Sequence, residues 1–178
     1  MEAIADGWLV PITNRLMIIQ GLDYSKIRTT AGDLNGADLA QQMLYEAPLH
    51  KITDGTLKVI GDRRTLVFAA SVAHAERMSE IFNRPENKPG SSRWVCGETP
   101  KDQRRQMIAD YAEGKFKIMC NVGVVTEGFD EPGIQVVIMG RPTKSRALYQ
   151  QMIGRSTRPL PGLVDGKESA EIRRAEIA

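Results

Sequence analysis

The chain has 178 residues, of which 42% are hydrophobic, with a formal net charge of +2 and a pI near 8.6. That is enough apolar material for one good core with a small appendage, and the near-balanced charge neither demands nor excludes nucleic acid. No apolar run reaches membrane-spanning length, and Glu2 and Asp6 stand where a secretory leader carries basic residues. Cys96 and Cys120 stand singly in apolar surroundings. They are expected to be inert buried thiols in a reducing compartment, which places the protein in the cytoplasm.

In chain order, residues 8–20 combine an apolar run with Pro11 and a polar Thr13-Asn14-Arg15, predicting an extended or hairpin-like lead-in. Gly32-Asp33-Leu34-Asn35 reads as the start of a helix over residues 37–46, with Pro48 ending it by removing a donor. A second helix is predicted over residues 50–60. Thr65-Leu66-Val67-Phe68-Ala69 is a continuous apolar run of strand length, and Ser71 is placed to cap the helix that follows through Phe82. A loop rich in Pro, Asn, Gly and Ser leads to a strand at residues 93–96. Thr99-Pro100-Lys101-Asp102 then reads as a cap with proline at the first helical position and an acid in the first turn. That helix is predicted to run to Glu113, where Gly114 stops it.

Strands follow at residues 116–121 and 134–139, and a helix from Thr143 or Lys144 to Ile153. A charged helix with little apolar face is expected from Glu168, and the close of the chain reads as a cut through a longer protein. Strand and helix patterns in alternation define an α/β fold with a mainly parallel sheet between helical layers. In such sheets ligands gather at the carboxyl ends of the strands. Three polar strand-to-helix joints are expected along that edge: Ala70-Ser71, Gly97-Glu98-Thr99, and residues 121–130.

Charge is concentrated late in the chain. Between residues 141 and 158 there are five basic residues, Arg141, Lys144, Arg146, Arg155 and Arg158, and no acidic one. Gln151-Met152-Ile153-Gly154-Arg155-Ser156-Thr157-Arg158 sets two arginines three apart, which puts both on one helical face. Paired planar guanidinium groups suit phosphate oxygens better than a lysine does. The same arginines also suit a solvated helix C-terminus.

Four motifs carry a resemblance. Thr65-Leu66-Val67-Phe68 with Ser71-Val72-Ala73-His74-Ala75, then Gly97-Glu98-Thr99-Pro100-Lys101-Asp102-Gln103-Arg104, then Thr126-Glu127-Gly128-Phe129-Asp130-Glu131-Pro132, then Gln151 through Pro159, occur in the order found in the second RecA-like domain of superfamily 2 helicases. The chain resembles most the branch that contains restriction-enzyme motor subunits and the XPB-like repair helicases. The resemblance implies a three-layer RecA-like domain over residues 61–160. Residues 1–60 would lead in from a first motor domain and pack on the core, and residues 161–178 would form a loop and a truncated helix.

By that resemblance, Arg155 and Arg158 reach the γ-phosphate of ATP held by the first domain and act as catalytic arginine fingers. Gln151 couples nucleotide to nucleic acid. Gly128 and Asp130 lie at the nucleotide cleft, although Gly, Asp and Pro132 also suit a plain turn. Ser71, Thr99, Arg104, Asn121 and Thr126 fall at positions that touch nucleic acid, although Ser71 and Thr99 also suit plain caps and Arg104 a solvated ion pair. Glu127 departs from the arginine usual in the DEAD-box branch, which favours a DNA translocase. His74 is given no catalytic role, and Trp8 and Trp94 are expected to anchor the core or an interface.

No Gly-x-x-x-x-Gly-Lys-[Ser/Thr] and no Gly-x-Gly-x-x-Gly occurs in the chain. ATP and Mg²⁺ are therefore expected to be held mainly by an N-terminal RecA-like domain of the same protein, with none bound by this segment alone. DNA is the expected track. The competing reading is a RecA-like module that grips nucleic acid or protein without ATP chemistry.

Overall fold

The computed structural model describes residues 2–19, 22–124 and 133–176. Its centre is a four-stranded sheet of β3 (Thr65–Phe68), β4 (Ser92–Cys96), β5 (Ile118–Val122) and β6 (Val136–Met139), in the spatial order β4-β5-β3-β6. Every pairing is parallel, so all four carboxyl ends share one edge. All four residues of β3 are buried, which is what a central strand covered on both faces requires.

Alternation along the strands divides the apolar residues between two cores. Val67, Ile118 and Cys120 point to a layer built from α2 (Gly36–Met43), α3 (Glu46–Ile60) and α4 (Val72–Phe82), where Leu39, Leu49, Ile52, Met78 and Phe82 are buried. Leu66, Phe68, Val95 and Met119 point the other way, to Tyr111 of α5 (Lys101–Ala112) and Met152 of α6 (Arg146–Ile153). This is the three-layer α/β architecture expected. Each fully buried Leu, Val, Ile or Met contributes roughly 1.5–3 kcal/mol relative to exposure, and such residues come from the strands (Leu66, Ile118, Met119) and from the helices that cover them (Leu39, Leu49, Met78, Met152).

Local signals account for most element ends. The Ser71 hydroxyl accepts the N–H of His74 at 3.2 Å and starts α4. Gly114, at φ +74°, takes the left-handed conformation that ends α5 after Glu113. Gly140 is demanded by close approach, since a Cβ there would stand 2.9 Å from the Phe68 carbonyl oxygen.

Residues 8–19 form neither helix nor strand, and α1 (Glu2–Ala5) precedes them. Three expectations need correction. Gly32-Asp33-Leu34 belongs to a two-residue-per-strand hairpin, β1 (Thr29–Thr30) with β2 (Asp33–Leu34), and Asn35 is the cap of α2, accepting from Ala37 and Asp38 N–H at 3.1 Å each. Pro48 ends nothing: it lies in the first turn of α3, where its missing N–H has no intrahelical partner to lose. Thr99 is not the cap of α5, because that helix begins at Lys101 with Pro100 at the capping position.

The last helix, α7 (Ala170–Glu176), is tied back to the start of the chain. Arg173 is buried, stacks 3.8 Å from the Trp8 ring centroid and donates to the Asp6 carbonyl at 2.9 Å. Trp8 therefore anchors the two ends of the chain to each other, and Trp94 is half-buried against the α3/α4 core.

Candidate nucleotide-cleft and nucleic-acid interface

The carboxyl edge of the sheet gathers the loops after β3, β4, β5 and β6. At the β3 joint, Ser71 is partly exposed and extended at the start of α4. Behind it, His74 is fully buried, and its Nδ1 accepts the Ala70 N–H at 3.1 Å. Burial lowers the His74 pKa to about 4, so the ring is neutral.

At the β4 joint the polar side chains are turned inward. Thr99 Oγ1 accepts the Cys96 N–H at 3.1 Å, and Asn83 bonds both the N–H and the carbonyl of Ser92 at 2.9 Å. These two side chains cap the ends of β4, an edge strand whose outer backbone groups face no neighbouring strand. Arg104 braces the same loop by donating to the Gly97 and Thr99 carbonyls, both at 3.0 Å. Its guanidinium is committed to backbone rather than to a solvated acid.

Asn121, expected to face nucleic acid, is fully buried, and its side-chain amide donates to the Val67 carbonyl at 3.0 Å. It links β5 to β3 in the interior, and as placed here its side chain offers nothing to a surface ligand. Thr126, Gly128 and Asp130 lie outside the described residues.

The β6 joint leads into α6. Ser145 caps that helix, its hydroxyl accepting the Leu148 N–H at 3.3 Å. Met152 is the buried residue of α6. With Met152 inward, Gln151 and Arg158 are exposed and Arg155 is partly exposed, across a short 3₁₀ turn at Gly154–Ser156 that packs on β6. Thr157 is buried, and its carbonyl accepts the Val10 N–H at 2.8 Å. The arginines are thus carried on a turn held from both sides while their side chains remain accessible.

Sequence reasoning missed Asp33. Its carboxylate accepts the Thr143 hydroxyl at 2.8 Å and the Lys144 N–H at 2.7 Å, joining the β1/β2 hairpin to the loop before α6. Burial alone would raise its pKa, but the bonds from Lys144, Thr143 and Leu34 and the charge of Arg141 hold it below the ordinary aspartate value. No sequence signal links residues more than a hundred positions apart.

Both cysteines are buried, and burial pushes the Cys120 thiol up to about 12, leaving it unreactive. Among the described residues no cluster of three His, Cys, Asp or Glu side chains is placed to hold a metal ion. No described helix is long and apolar enough to cross a membrane.

A parallel sheet covered by helices on both faces is the architecture of a RecA-like domain. The helicase conserved C-terminal domain family matches residues 48–159, and the chain belongs to that family. It is 31% identical, over 89% of its length and 23% of the relative's, to the putative ATP-dependent helicase IRC3 of Saccharomyces cerevisiae. It is 33% identical, over 57% of its length and 9% of the relative's, to the type I restriction enzyme EcoKI endonuclease subunit of Escherichia coli. In fold it is similar to the helicase Lhr of Mycobacterium smegmatis, with a TM-score of 0.54 at 21% identity over 66% of this chain and 16% of that one. The chain spans about a quarter of the length of the first curated relatives it matches.

Proposed function

We propose that this chain is the C-terminal motor domain of an ATP-dependent DNA helicase or translocase. Residues 61–160 carry the sheet of the motor lobe, α2 and α3 from residues 1–60 pack on one of its faces, and residues 161–178 lead out. The observation that carries the reading is the accessible pair Arg155 and Arg158 beside the exposed Gln151, on a helix end fixed by buried Met152. Two guanidinium groups fit the oxygens of a terminal phosphate and do not fit a metal. Because the sequence carries no Gly-x-x-x-x-Gly-Lys-[Ser/Thr], ATP and Mg²⁺ are assigned mainly to an N-terminal RecA-like lobe of the same protein.

In that arrangement Arg155 and Arg158 cross the cleft to the γ-phosphate and stabilise the charge that builds on its equatorial oxygens. Drawing them in closes the two lobes, and release after hydrolysis opens them. The nucleic-acid grip lies along the carboxyl edge. Ser71 offers a partly exposed hydroxyl there, and the Gly97–Thr99 backbone is held in shape by Arg104. On the motif resemblance alone, Gly128 and Asp130 are assigned to the nucleotide cleft and Thr126 to the track. Buried free thiols fit a reducing compartment, and the cytoplasm is the proposed location.

Steady-state ATP hydrolysis tests the assignment. The 178-residue chain alone is expected to show none, and joining it to an upstream P-loop lobe is expected to produce nucleic-acid-stimulated turnover. Sustained turnover by the chain alone would contradict the reading.

A further inference from the structure

We infer that Asp33 and Thr143 form a latch that positions the arginine-bearing helix, an inference that rests on the role proposed above for Arg155 and Arg158. Asp33 Oδ2 accepts the Thr143 hydroxyl at 2.8 Å, and Oδ1 accepts the Lys144 N–H at 2.7 Å. Having donated its one proton to Asp33, Thr143 Oγ1 accepts the Ser145 N–H at 3.0 Å. Ser145 Oγ in turn accepts the Leu148 N–H at 3.3 Å in the first turn of α6. Hydrogen bonds through residues 143–145 therefore link the hairpin to the first turn of the helix, passing at Ser145 from its backbone N–H to its side-chain hydroxyl.

The hairpin end of the series is itself held. Arg28 makes a two-pronged pair with Asp38 of α2, both contacts at 2.8 Å, and the Asn35 N–H reaches the Arg28 carbonyl at 2.8 Å. Lys144 Nζ donates to Thr29 Oγ1 at 2.7 Å, adding a second tie between hairpin and loop. At the other end, α6 is eight residues long and buries only Met152. Met152 seats the far end of the helix, the bonded first turn fixes the near end, and the placement of Gln151, Arg155 and Arg158 depends on both. Asp33 is a positioning residue: it touches no ligand and acts through Thr143 and Ser145.

Asp33→Asn removes the charge and, if its oxygen stays on the Lys144 N–H, donates to Thr143 Oγ1 where the carboxylate accepted from it, so that the Thr143 proton loses its partner; the opposite placement sets N–H against the Lys144 N–H. Thr143→Val removes the hydroxyl at nearly constant shape, and Thr143→Ser keeps it. In the protein that joins this chain to its ATP-binding lobe, Asp33→Asn and Thr143→Val are expected to lower kcat for stimulated ATP hydrolysis by about 10²-fold, the effect of a small misplacement of a reacting group. The KM for ATP should stay within about threefold, since both variants spare the nucleotide-holding lobe, whereas general unfolding would not split the two constants. Thr143→Ser should restore the wild-type rate. Hydrogen exchange at the Leu148 amide should quicken by about tenfold in Thr143→Val, while β3 amides are unchanged.

Arg158→Ala, measured alongside, separates the two claims. If it abolishes turnover while Asp33→Asn and Thr143→Val run at the wild-type rate, the latch is overturned and the arginine role stands. If Arg158→Ala turns over normally, the arginine role fails, and unchanged Leu148 exchange in Thr143→Val overturns the latch by itself.

Discussion

His74 accepts the Ala70 backbone N–H through Nδ1 at 3.1 Å, which places the ring proton on Nε2 and forbids a second proton without setting N–H against N–H. Burial, which lowers the pKa to about 4, and this bond favour the same neutral ring. Unfolding returns the group to its ordinary value near 6.5. Its stabilisation is complete above about pH 6.5 and drains away as pH falls toward 4. Urea unfolding is expected to show stability about 2 kcal/mol lower at pH 5 than at pH 8 from this group, and a flatter dependence in His74→Asn, whose carbonyl can still accept from Ala70. Equal slopes in the two proteins would contradict the assignment.

Asp110 gives a second acid sensitivity with a different window. Bonds from Lys115 at 2.8 Å, Gln106 at 2.9 Å and Arg93 at 2.6 Å hold its carboxyl well below the ordinary aspartate range, outweighing its burial. Arg93 also stands 4.7 Å from the Phe116 ring centroid, tying the node to the α5 face of the sheet. A carboxyl so held stabilises the fold above about pH 4 and loses that contribution as pH falls further. The gap in urea midpoint between wild type and Asp110→Asn should be clear at pH 7 and shrink at pH 3. A gap that stays constant would show that the charge is irrelevant.

Met152 is the residue through which α6 enters the core, among Leu66, Phe68 and Met119. Met152→Ala should cost about 2–5 kcal/mol, the range for emptying a buried methionine site. Equilibrium unfolding reads this directly, and a loss under about 1 kcal/mol would mean that the helix is not seated as described.

DNA binding by the isolated chain should be weak and should fall steeply with added salt, because phosphate contacts release counterions. Fluorescence anisotropy between about 50 and 200 mM salt is the measurement. Affinity that does not change over that range would rule out a phosphate grip.

The central strand and its neighbours were legible because their local chemistry agrees with the fold. The run at residues 65–68 is apolar on both faces, as β3 must be, and Ser71 and Gly114 act where their residue types suggest. The helix expected to end at Ile153 does so, with Arg155 partly exposed and Arg158 exposed beyond it. What escaped depends on contacts distant in sequence. Asp33 beside a glycine reads as a helix start until Thr143 arrives to bind it. Asn121 reads as a polar joint residue, yet its partner is the Val67 carbonyl on the adjoining strand. Thr99 reads as a cap and is one, but of the buried end of β4 at Cys96 rather than of α5. Pro48 misled because a proline that ends one helix and one that opens the next carry the same local signal.

The most direct test is ATP hydrolysis by Arg158→Ala in the protein that unites this chain with its ATP-binding lobe, with nucleotide affinity measured in parallel. A fall of about 10³-fold or more in kcat with ATP binding nearly unchanged is the predicted result. Turnover at the wild-type rate would contradict the account.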